Sequence, residues 1–432
     1  MGNDMYLTWL VAFTALLSAQ VDTAKILGIF WTFGRSHHLT GSALLQALAT
    51  KGHEVDLLSS FYDDVKIPNF KEEHLKGIMI PDTLNLNAST ISRIITYIPL
   101  MNKNLEIFWE NEAIQRLIKT KPKYDAVIVL TFFNDYILAL PHYLGVPTII
   151  YSSGGSYRFN NKYVANPNLP YGKSIIMGAP STSFFGRISS TLLNIMLTIL
   201  EDYILASFQN EYNQKYLPGS PTIEQLTKNV SLVLVNSHFA IEPPRPYVPN
   251  MIQIGGFHTQ KMKKLPQDIQ NYLDSAKEGA VLFSMGSVVE IKVNLPKEQL
   301  DIIMAGLGKI APIKVLFKSE IEIPTAPKNV LVSKWLPQND ILAHPNLKLF
   351  ISHGGLGSTT EAVFHGVPVL GIPFFADQKT NIDSVIEAGF AKRLELGEIT
   401  QKTFDSAIKE LLTNSTYAAN AKSGPRFSRT SR

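Results

Sequence analysis

The chain of 432 residues contains no cysteine, and this absence excludes several kinds of protein at once. Without thiols there is no disulfide, no thiolate nucleophile and no cysteine-based metal site, so the fold depends on its core alone. Charged residues are scarce, at 18%, and the formal net charge of +4 comes with no basic block. These values argue against a nucleic acid as a partner. A hydrophobic share of 45% instead indicates a well-packed globular protein.

Long apolar runs are missing after the first residues. The nearest candidate, residues 191–208, is interrupted by Glu201 and Asp202 and predicts an amphipathic helix rather than a membrane span. At the start, residues 7–19 form a short apolar run that a polar stretch follows, so residues 1–23 are predicted to be a signal peptide; the alternative is an ordinary apolar helix. Acceptor sequons at Asn87, Asn229 and Asn414 agree with entry into the secretory pathway.

Segments typical of strands alternate with segments typical of helices along the chain. This alternation predicts parallel sheets with crossover helices, and a chain of this length divides into two cores. The proline-dense stretch at residues 242–249 continues neither a helix nor a strand and is interpreted as a linker. We therefore expect an N-terminal domain over residues 24–241, a linker over 242–258 and a C-terminal domain over 259–432.

Residues 335–378 carry the most chemical information. An apolar strand over residues 347–351 runs into the sequence Ser352-His353-Gly354-Gly355-Leu356-Gly357, and a helix is predicted to open at about Ser358. The backbone N–H groups of such a turn approach an anion closely, and the helix dipole favours negative charge there. Trp335 lies upstream to stack on a base, and Glu361 and Asp377 lie downstream to accept sugar hydroxyls. The segment therefore predicts a site for a nucleoside diphosphate that carries a sugar.

The same segment resembles the signature of the UDP-glycosyltransferases, the family that moves a sugar from UDP-sugar to small lipophilic acceptors. It contains Trp-x-Pro-Gln from Trp335, His-Gly-Gly-x-Gly-Ser-x-x-Glu from His353, Gly-x-Pro from Gly366 and Asp-Gln at Asp377. The resemblance extends from about Ala24 to about Lys422 and is greatest to insect-like animal members.

This resemblance implies an α/β fold of the GT-B architecture, with two Rossmann-like domains whose parallel sheets face each other across a cleft. It also implies a location in the secretory pathway, in the lumen of the endoplasmic reticulum. Family members usually end in a membrane-spanning helix, which this sequence lacks. We therefore interpret the chain as C-terminally truncated and without a transmembrane anchor, whether or not it associates with membranes.

The resemblance also assigns roles to the donor-binding residues. Trp335 would stack under uracil, the alternative being a place in the core, and Gln338 would contact the nucleoside. Glu361 would accept both ribose hydroxyls, the alternative being compensation of the helix dipole at the surface. Asp377 and Gln378 would hold the hydroxyls of the transferred sugar. The diphosphate would be held by His353, Gly355, Gly357, Ser358 and Thr359, with Ser287 of a second small-residue turn.

Transfer to an alcohol needs a base, and the N-terminal domain offers a histidine. The strand over residues 25–31 ends in a loop with Ser36, His37 and His38, and the sequence Gly-His-Glu-Val follows from residue 52. By its match to the family pattern, His37 is the base that takes the acceptor proton; a doubled histidine in a loop is otherwise more often solvated. Many family members have an aspartate where this chain has Thr131. Asp135 is the nearest carboxylate and the candidate partner of His37, the alternative being a helix N-terminal cap.

Together these features predict an inverting, metal-independent transfer of a hexose, glucose by the insect resemblance, from UDP-sugar to a hydroxyl of a small lipophilic acceptor. No cofactor or metal is expected, since the UDP-sugar is a co-substrate and no Asp-x-Asp motif occurs. The apolar and aromatic residues of 152–216 resemble the variable acceptor-binding region, the alternative being core packing. Two other interpretations stay open: a catalytically impaired paralogue that binds a lipophile or a protein partner, and a sugar-nucleotide epimerase.

Overall fold

The structure, a computed structural model, describes residues 23–79, 90–169, 183–242, 245–259, 263–287, 289–374 and 377–423. Residues 1–22 of the predicted signal peptide and the predicted glycosylation site at Asn87 lie outside these residues. The described residues form two parallel sheets, one of seven strands and one of six.

The first sheet is built by the N-terminal half of the chain. Its strands are β1 (Lys25–Phe30), β2 (Glu54–Ser59), β3 (Phe70–His74), β4 (Ala126–Leu130), β5 (Thr148–Ser152), β6 (Val230–Val235) and β7 (Met251–Gln253). They lie in the order β3-β2-β1-β4-β5-β6-β7, and every neighbouring pair is parallel. Parallel neighbours require crossover connections, which agrees with the alternation predicted from the sequence.

Helices connect these strands. They are α1 (Arg35–Thr50), α2 (Thr90–Glu110), α3 (Glu112–Thr120), α4 (Ala139–Leu144), α5 (Arg158–Asn161), α6 (Phe184–Ile199), α7 (Ala206–Tyr216) and α8 (Ile223–Thr227). Short 3₁₀ turns occur at Asp135–Leu138, Lys162–Val164 and Phe257–Thr259, and a π-helical turn, Leu200–Leu205, joins α6 to α7.

The second sheet is built by the C-terminal half. Its strands are β8 (Ala280–Ser284), β9 (Lys314–Lys318), β10 (Val330–Ser333), β11 (Leu347–Ser352), β12 (Val369–Gly371) and β13 (Ala391–Arg393). They lie in the order β10-β9-β8-β11-β12-β13, again with parallel neighbours. The helices are α9 (Gln267–Asp274), α10 (Ile291–Asn294), α11 (Lys297–Lys309), α12 (Gln338–Leu342), α13 (Leu356–His365), α14 (Gln378–Glu387), α15 (Gln401–Thr413) and α16 (Ser415–Ser423).

Both sheets are covered on both faces. In β4, Val127 and Val129 pack into one hydrophobic cluster, whereas Ile128 packs into the cluster on the opposite face. In β11, Phe350 and Ile351 divide between two clusters in the same way. A strand buried on both faces is apolar at every position, because successive side chains point to opposite faces and each meets a layer of helices.

The segment predicted as a linker, residues 242–258, contains structure. Met251 and its neighbours form β7, which pairs with β6 and buries Met251 in the first core. The boundary prediction is therefore wrong at residues 251–253, because the proline-rich composition concealed a short edge strand. Ile241, just before the predicted linker, packs with the hydrophobic cluster of the second sheet.

The continuous helix Phe184–Tyr216, made of α6, the π-helical turn and α7, presents an apolar outer face. Phe185 is 79% exposed and Tyr203 is 73% exposed, while Glu201 is buried and forms an ion pair with Arg158. The segment predicted to be an amphipathic helix is helical, but its outer side carries many apolar side chains. By length and composition alone the helix could cross a membrane, a criterion that core helices of soluble proteins also meet.

Candidate functional site

A glycine-rich turn at the end of β11 forms the centre of the predicted donor site. Gly354 has a φ of 82°, and a Cβ atom there would lie 2.8 Å from the carbonyl oxygen of Gln378, so this position accepts only glycine. The helix α13 begins at Leu356 with Gly355 as its N-cap, two residues earlier than predicted. Its first backbone hydrogen bond runs from the Thr359 N–H to the Gly355 carbonyl. The preceding N–H groups therefore face the turn without an intrahelical partner, as an anion site requires.

His353 lies between this turn and the turn that follows β8. A Cβ atom at Gly286 would lie 2.6 Å from its ring and one at Gly355 would lie 2.5 Å from it, so both glycines make room for the imidazole. Its Nδ1 is buried and has no hydrogen-bond partner among the described residues. Burial, with a smaller effect from Lys318, lowers the pKa of His353 to about 4. The ring is therefore neutral at neutral pH and offers one N–H.

Lys318 is a site residue that the sequence analysis missed. It ends β9, and its ammonium donates a hydrogen bond to the carbonyl of Gly286, which places a positive charge beside His353. Burial lowers the pKa of Lys318. The available signal was a basic residue at the carboxyl end of a predicted strand, where ligands bind in open parallel sheets. Ser287, predicted as a second phosphate contact, is exposed in the same turn.

Three predicted residues meet at the start of α13. The amide of Gln338 donates to Oγ of Ser358 (3.0 Å) and to Oε2 of Glu361 (2.6 Å). Burial raises the pKa of Glu361 to about 7, and the hydrogen bond from Gln338 opposes this change. Glu361 is half-buried and accepts a hydrogen bond. It therefore does not fit the alternative of a surface carboxylate that only compensates the helix dipole.

Trp335 is 67% exposed, so the alternative of a core aromatic is wrong. Its carbonyl accepts a hydrogen bond from Ser333 (2.8 Å), which holds the end of β10 and leaves the indole free to stack on a planar group.

Two further predicted donor residues lie in the first turn of α13. Thr359 is buried, and its hydroxyl has no hydrogen-bond partner among the described residues. Gly357 has open space where a Cβ atom would be.

Asp377 and Gln378 open α14, beside the same turn. Oδ2 of Asp377 accepts a hydrogen bond from Asn381 (2.7 Å), whose amide also donates to the carbonyl of Gly354 (3.0 Å). Gln378 is buried and accepts from the backbone N–H of Phe374 (2.7 Å). Burial raises the pKa of Asp377. Asn381, which the sequence analysis did not select, thus ties the carboxylate to the glycine-rich turn.

His37 lies in the first turn of α1, in the other half of the molecule. It is half-buried, its Nδ1 has no hydrogen-bond partner, and burial lowers its pKa to about 4. The ring meets Phe132 at 5.8 Å between centroids. Phe132 packs in turn on Phe133 and Phe159, which form an aromatic cluster beside the histidine.

The structure does not bring Asp135 to His37. The carboxylate of Asp135 is buried and binds the ammonium of Lys162 (2.5 Å) and the hydroxyl of Tyr163. The alternative prediction of an N-terminal cap is also wrong, because Asp135 is the first residue of a 3₁₀ turn whose cap is Asn134. Thr131 is buried and donates to Asn160 (3.4 Å). The predicted pairing of Asp135 with His37 is wrong because the position of a carboxylate in the sequence does not determine the direction of its side chain in a loop.

The adjacent His38 does have a carboxylate partner. Its Nε2 lies 3.0 Å from Oδ2 of Asp63, and its Nδ1 lies 2.7 Å from Oγ of Ser59. Because His38 is fully buried, it has no surface to offer to an acceptor molecule. The doubled histidine therefore contains one accessible and one internal imidazole, a difference that no feature of the sequence indicates.

Two Rossmann-like domains with parallel sheets, one of them with a glycine-rich turn between a histidine and a helix N-terminus, are the architecture of a GT-B glycosyltransferase. The structure aligns with that of the calicheamicin glycosyltransferase CalG4 at a TM-score of 0.66, covering 93% of each chain at 17% identity, which shows the fold.

Sequence comparison gives the family. Residues 75–428 match the family described as "UDP-glucoronosyl and UDP-glucosyl transferase". The chain is similar to UDP-glycosyltransferase UGT5 of Dactylopius coccus, with 32% identity over 92% of this chain and 78% of that protein. It is also similar to UDP-glucosyltransferase 2 of the same insect, with 31% identity over 96% of this chain and 82% of that protein. The chain belongs to the UDP-glycosyltransferase family.

Proposed function

We propose that this protein transfers a hexose, glucose in the first instance, from a UDP-sugar to a hydroxyl group of a small lipophilic acceptor with inversion at the anomeric carbon. One observation carries the proposal. Gln338, Ser358 and Glu361 form a hydrogen-bonded group at the N-terminus of α13, next to the glycine-rich turn and the exposed Trp335. Together these groups offer the contacts that the nucleobase, the ribose and the diphosphate of UDP need.

In the proposed complex, uracil stacks on Trp335 and the ribose hydroxyls donate to Glu361. The diphosphate lies against His353 and the N–H groups at the start of α13, with Ser287 and Lys318 on its other side. A positive end of a helix and an ammonium stabilise the charge that develops on the leaving diphosphate without a metal ion. Asp377 and Gln378 bind the hydroxyls of the transferred sugar.

His37 is the proposed base. Its low pKa keeps the imidazole neutral, so it accepts the proton of the acceptor hydroxyl while that oxygen attacks the anomeric carbon. The bond between this carbon and the diphosphate oxygen breaks, and UDP departs with the bonding electrons. No carboxylate of the described residues contacts His37, so Asp135, which binds Lys162 and Tyr163, does not stabilise the imidazolium form.

The proposed acceptor surface is the aromatic cluster around Phe132. Phe33 is partly exposed, and its ring lies 6.0 Å from that of Phe132, which also meets the ring of His37. A lipophilic acceptor would pack on these rings and bring its hydroxyl to the base. This arrangement supports an apolar acceptor and does not select among apolar acceptors.

We also propose passage through the secretory pathway into the lumen of the endoplasmic reticulum. Of the predicted glycosylation sites, Asn229 and Asn414 are exposed at the surface. Digestion of the protein from an insect-cell host with an endoglycosidase should increase its electrophoretic mobility. A protein whose mobility does not change would contradict this location.

The reaction is tested by incubating the purified chain with radiolabelled UDP-glucose or UDP-glucuronate and a panel of phenolic and aliphatic alcohols. We expect transfer to at least one acceptor, faster from UDP-glucose, with the β-linked product that inversion gives. Transfer only from UDP-glucuronate would correct the sugar, and an α-linked product would overturn the mechanism.

A second function is favoured by one observation, the absence of a contact between His37 and Asp135. On this alternative the protein binds UDP and a lipophile but does not transfer the sugar. Calorimetric binding of UDP without turnover on any acceptor would support it. Conversion of the UDP-sugar alone into an epimer would instead support the epimerase interpretation.

A further inference from the structure

A second group of ionisable side chains lies in the N-terminal half, away from the donor site. His38 belongs to the first turn of α1, Asp63 to the loop after β2, and Glu72 to the edge strand β3. One ligand-type atom from each of the three lies within 4.8 Å of those of the other two. Nε2 of His38 is 3.0 Å from Oδ2 of Asp63 and 3.9 Å from Oε1 of Glu72.

Glu72 points an unpaired oxygen into this group. Its side chain is only 3% exposed, and Oε1 is buried with no hydrogen-bond partner in the part of the chain that the structure describes. Its other oxygen accepts from the backbone N–H of Asp63 (3.2 Å). A buried carboxylate oxygen without a donor is costly, and a cation at this point would satisfy it.

The nearby guanidinium of Arg35 does not pair with Oε1 of Glu72. Arg35 donates to Oδ1 of Asp63 (2.6 Å), which leaves Oδ2 of Asp63 and Oε1 of Glu72 facing the imidazole. Two carboxylates therefore converge on a single histidine, with one half-exposed guanidinium on their outer side.

One of the two tautomers of His38 gives the imidazole the orientation of a metal ligand. Oγ of Ser59 lies 2.7 Å from Nδ1 of His38 and 3.3 Å from the carbonyl oxygen of Phe30. If Nδ1–H donates to Ser59 and Ser59 donates to Phe30, Nε2 presents its lone pair to the two carboxylates. Metal-binding histidines usually hold their second nitrogen in such a hydrogen bond.

The distances suit a tetrahedral ion. With metal–ligand bonds of about 2.0–2.1 Å, the ligand atoms of a tetrahedral zinc site are separated by about 3.3 Å. The two separations from Nε2 of His38, 3.0 and 3.9 Å, lie on either side of that value, and the separation between the two carboxylates is within 4.8 Å. A donor set of one imidazole and two carboxylates favours Zn²⁺ over Mg²⁺, which rarely takes nitrogen ligands.

We propose that His38, Asp63 and Glu72 bind one divalent transition-metal ion, Zn²⁺ first, with a water molecule as fourth ligand. The ion would join α1, the loop after β2 and the edge strand β3. It is structural rather than catalytic, because it contacts none of the reacting atoms, and the proposed transfer still proceeds without a metal at the donor site. Through α1 it would also hold the first turn that carries His37.

The experiment measures zinc bound to the purified full-length chain by equilibrium dialysis and elemental analysis, together with the Tm at increasing Zn²⁺. Glu72→Gln removes the charge of the unpaired ligand while keeping its shape. Glu73→Gln is the matched control, because Glu73 is the next residue of the same strand and instead pairs with Arg116 at the surface. Circular dichroism verifies that both variants are folded, and Asp63→Asn replaces Glu72→Gln if the latter is not.

We expect one equivalent of zinc and a zinc-dependent rise in Tm for the unaltered chain and for Glu73→Gln. In Glu72→Gln the affinity should fall at least about tenfold, and the rise in Tm should disappear. Equal zinc binding by the two glutamine variants would overturn the proposal, since it would locate the ion at other histidines. A folded chain that takes up no stoichiometric zinc would overturn it as well.

Discussion

The proposed donor region, centred on residues 335–378, and the proposed catalytic region, the first turn of α1 with the loop after β4, differ in how their side chains are supported. In the donor region, Gln338 bonds to both Ser358 and Glu361, and Asn381 joins Asp377 to the glycine-rich turn. In the proposed catalytic region, Nδ1 of His37 has no hydrogen-bond partner among the described residues and the ring contacts an aromatic ring, while Asp135 binds Lys162 and Tyr163. One site is thus organised before a ligand arrives, whereas the other presents a single base.

This difference follows from how each region is built along the chain. Most of the donor residues come from one continuous segment, residues 335–378, whose strand, turn and helix constrain one another, and Ser287 and Lys318 are added from the ends of β8 and β9. The catalytic region combines α1 with the loop after β4, which are about a hundred residues apart in sequence. We expect substitutions in the donor region to change UDP affinity and substitutions in the proposed catalytic region to change turnover.

The largest effect is expected from His37→Ala. Because His37 is the proposed base, kcat should fall about 10²- to 10⁴-fold while the Kd for UDP stays unchanged. Turnover assays and calorimetry measure the two quantities. His142→Ala, which removes an exposed histidine of α4, is the control. A similar kcat for both variants would remove His37 from the mechanism.

The pH dependence of turnover tests the same residue. A base with a pKa of about 4 is neutral, and therefore active, above that value. On the acid side, kcat/KM should therefore decline with a midpoint near pH 4 rather than near pH 6.5, the ordinary pKa of histidine. An acid limb near 6.5 would show that His37 is more basic than its burial implies.

Glu361→Gln should weaken UDP binding by about tenfold to a hundredfold, since hydrogen bonds to a charged acceptor are worth about 1.5–3 kcal/mol. The ribose hydroxyls favour the ionised carboxylate, whose pKa is about 7 in the free protein. Binding therefore releases a proton, and UDP affinity should rise with pH through about 7 in the unaltered chain. Glu361→Gln should lose this part of the pH dependence.

A comparison of the Kd for UDP with the Kd for deoxy-UDP tests the contact with the ribose more directly. The unaltered chain should prefer UDP, and Glu361→Gln should lose most of that preference. The titration of the diphosphate itself is common to both proteins and cancels between them. Equal discrimination by the two proteins would mean that Glu361 does not bind the ribose.

Trp335→Ala should weaken UDP binding by about 1–2 kcal/mol, because the exposed indole offers one face for stacking. Calorimetry with UDP provides the measurement. Tyr203→Ala is a matched control, since this tyrosine is 73% exposed in the other half of the molecule. An unchanged Kd in Trp335→Ala would break the assignment of the base-binding site.

The smallest effect on turnover is expected from Asp135→Asn. Its carboxylate binds Lys162 and Tyr163, so kcat should change less than about threefold, whereas the free energy of unfolding should fall by about 1–3 kcal/mol. Denaturant unfolding and turnover assays separate the two effects, and Asp125→Asn is a surface control. A loss of kcat of about a hundredfold in a stable Asp135→Asn protein would restore the predicted dyad.

Much of the fold was predictable. The apolar segments at β1, β4, β8 and β11 are buried on both faces, so their composition indicates parallel strands directly. β7 was not predictable, because it has three residues and follows a proline-rich stretch. In the donor site the residue types and their spacing indicated the ligand. Lys318 could have been found from its place at the carboxyl end of a predicted strand, whereas Asn381, within α14, carried no signal of its own.

The sequence by itself determined the two-domain α/β fold and the character of the donor site, because the strand, the glycines and the helix start are adjacent in the chain and their chemistry is local. Only the tertiary structure decided which histidine is accessible, where Asp135 points and which side chains surround His38. Those properties depend on residues that lie far apart in the chain, since burial and hydrogen bonding are set by the packing of whole elements.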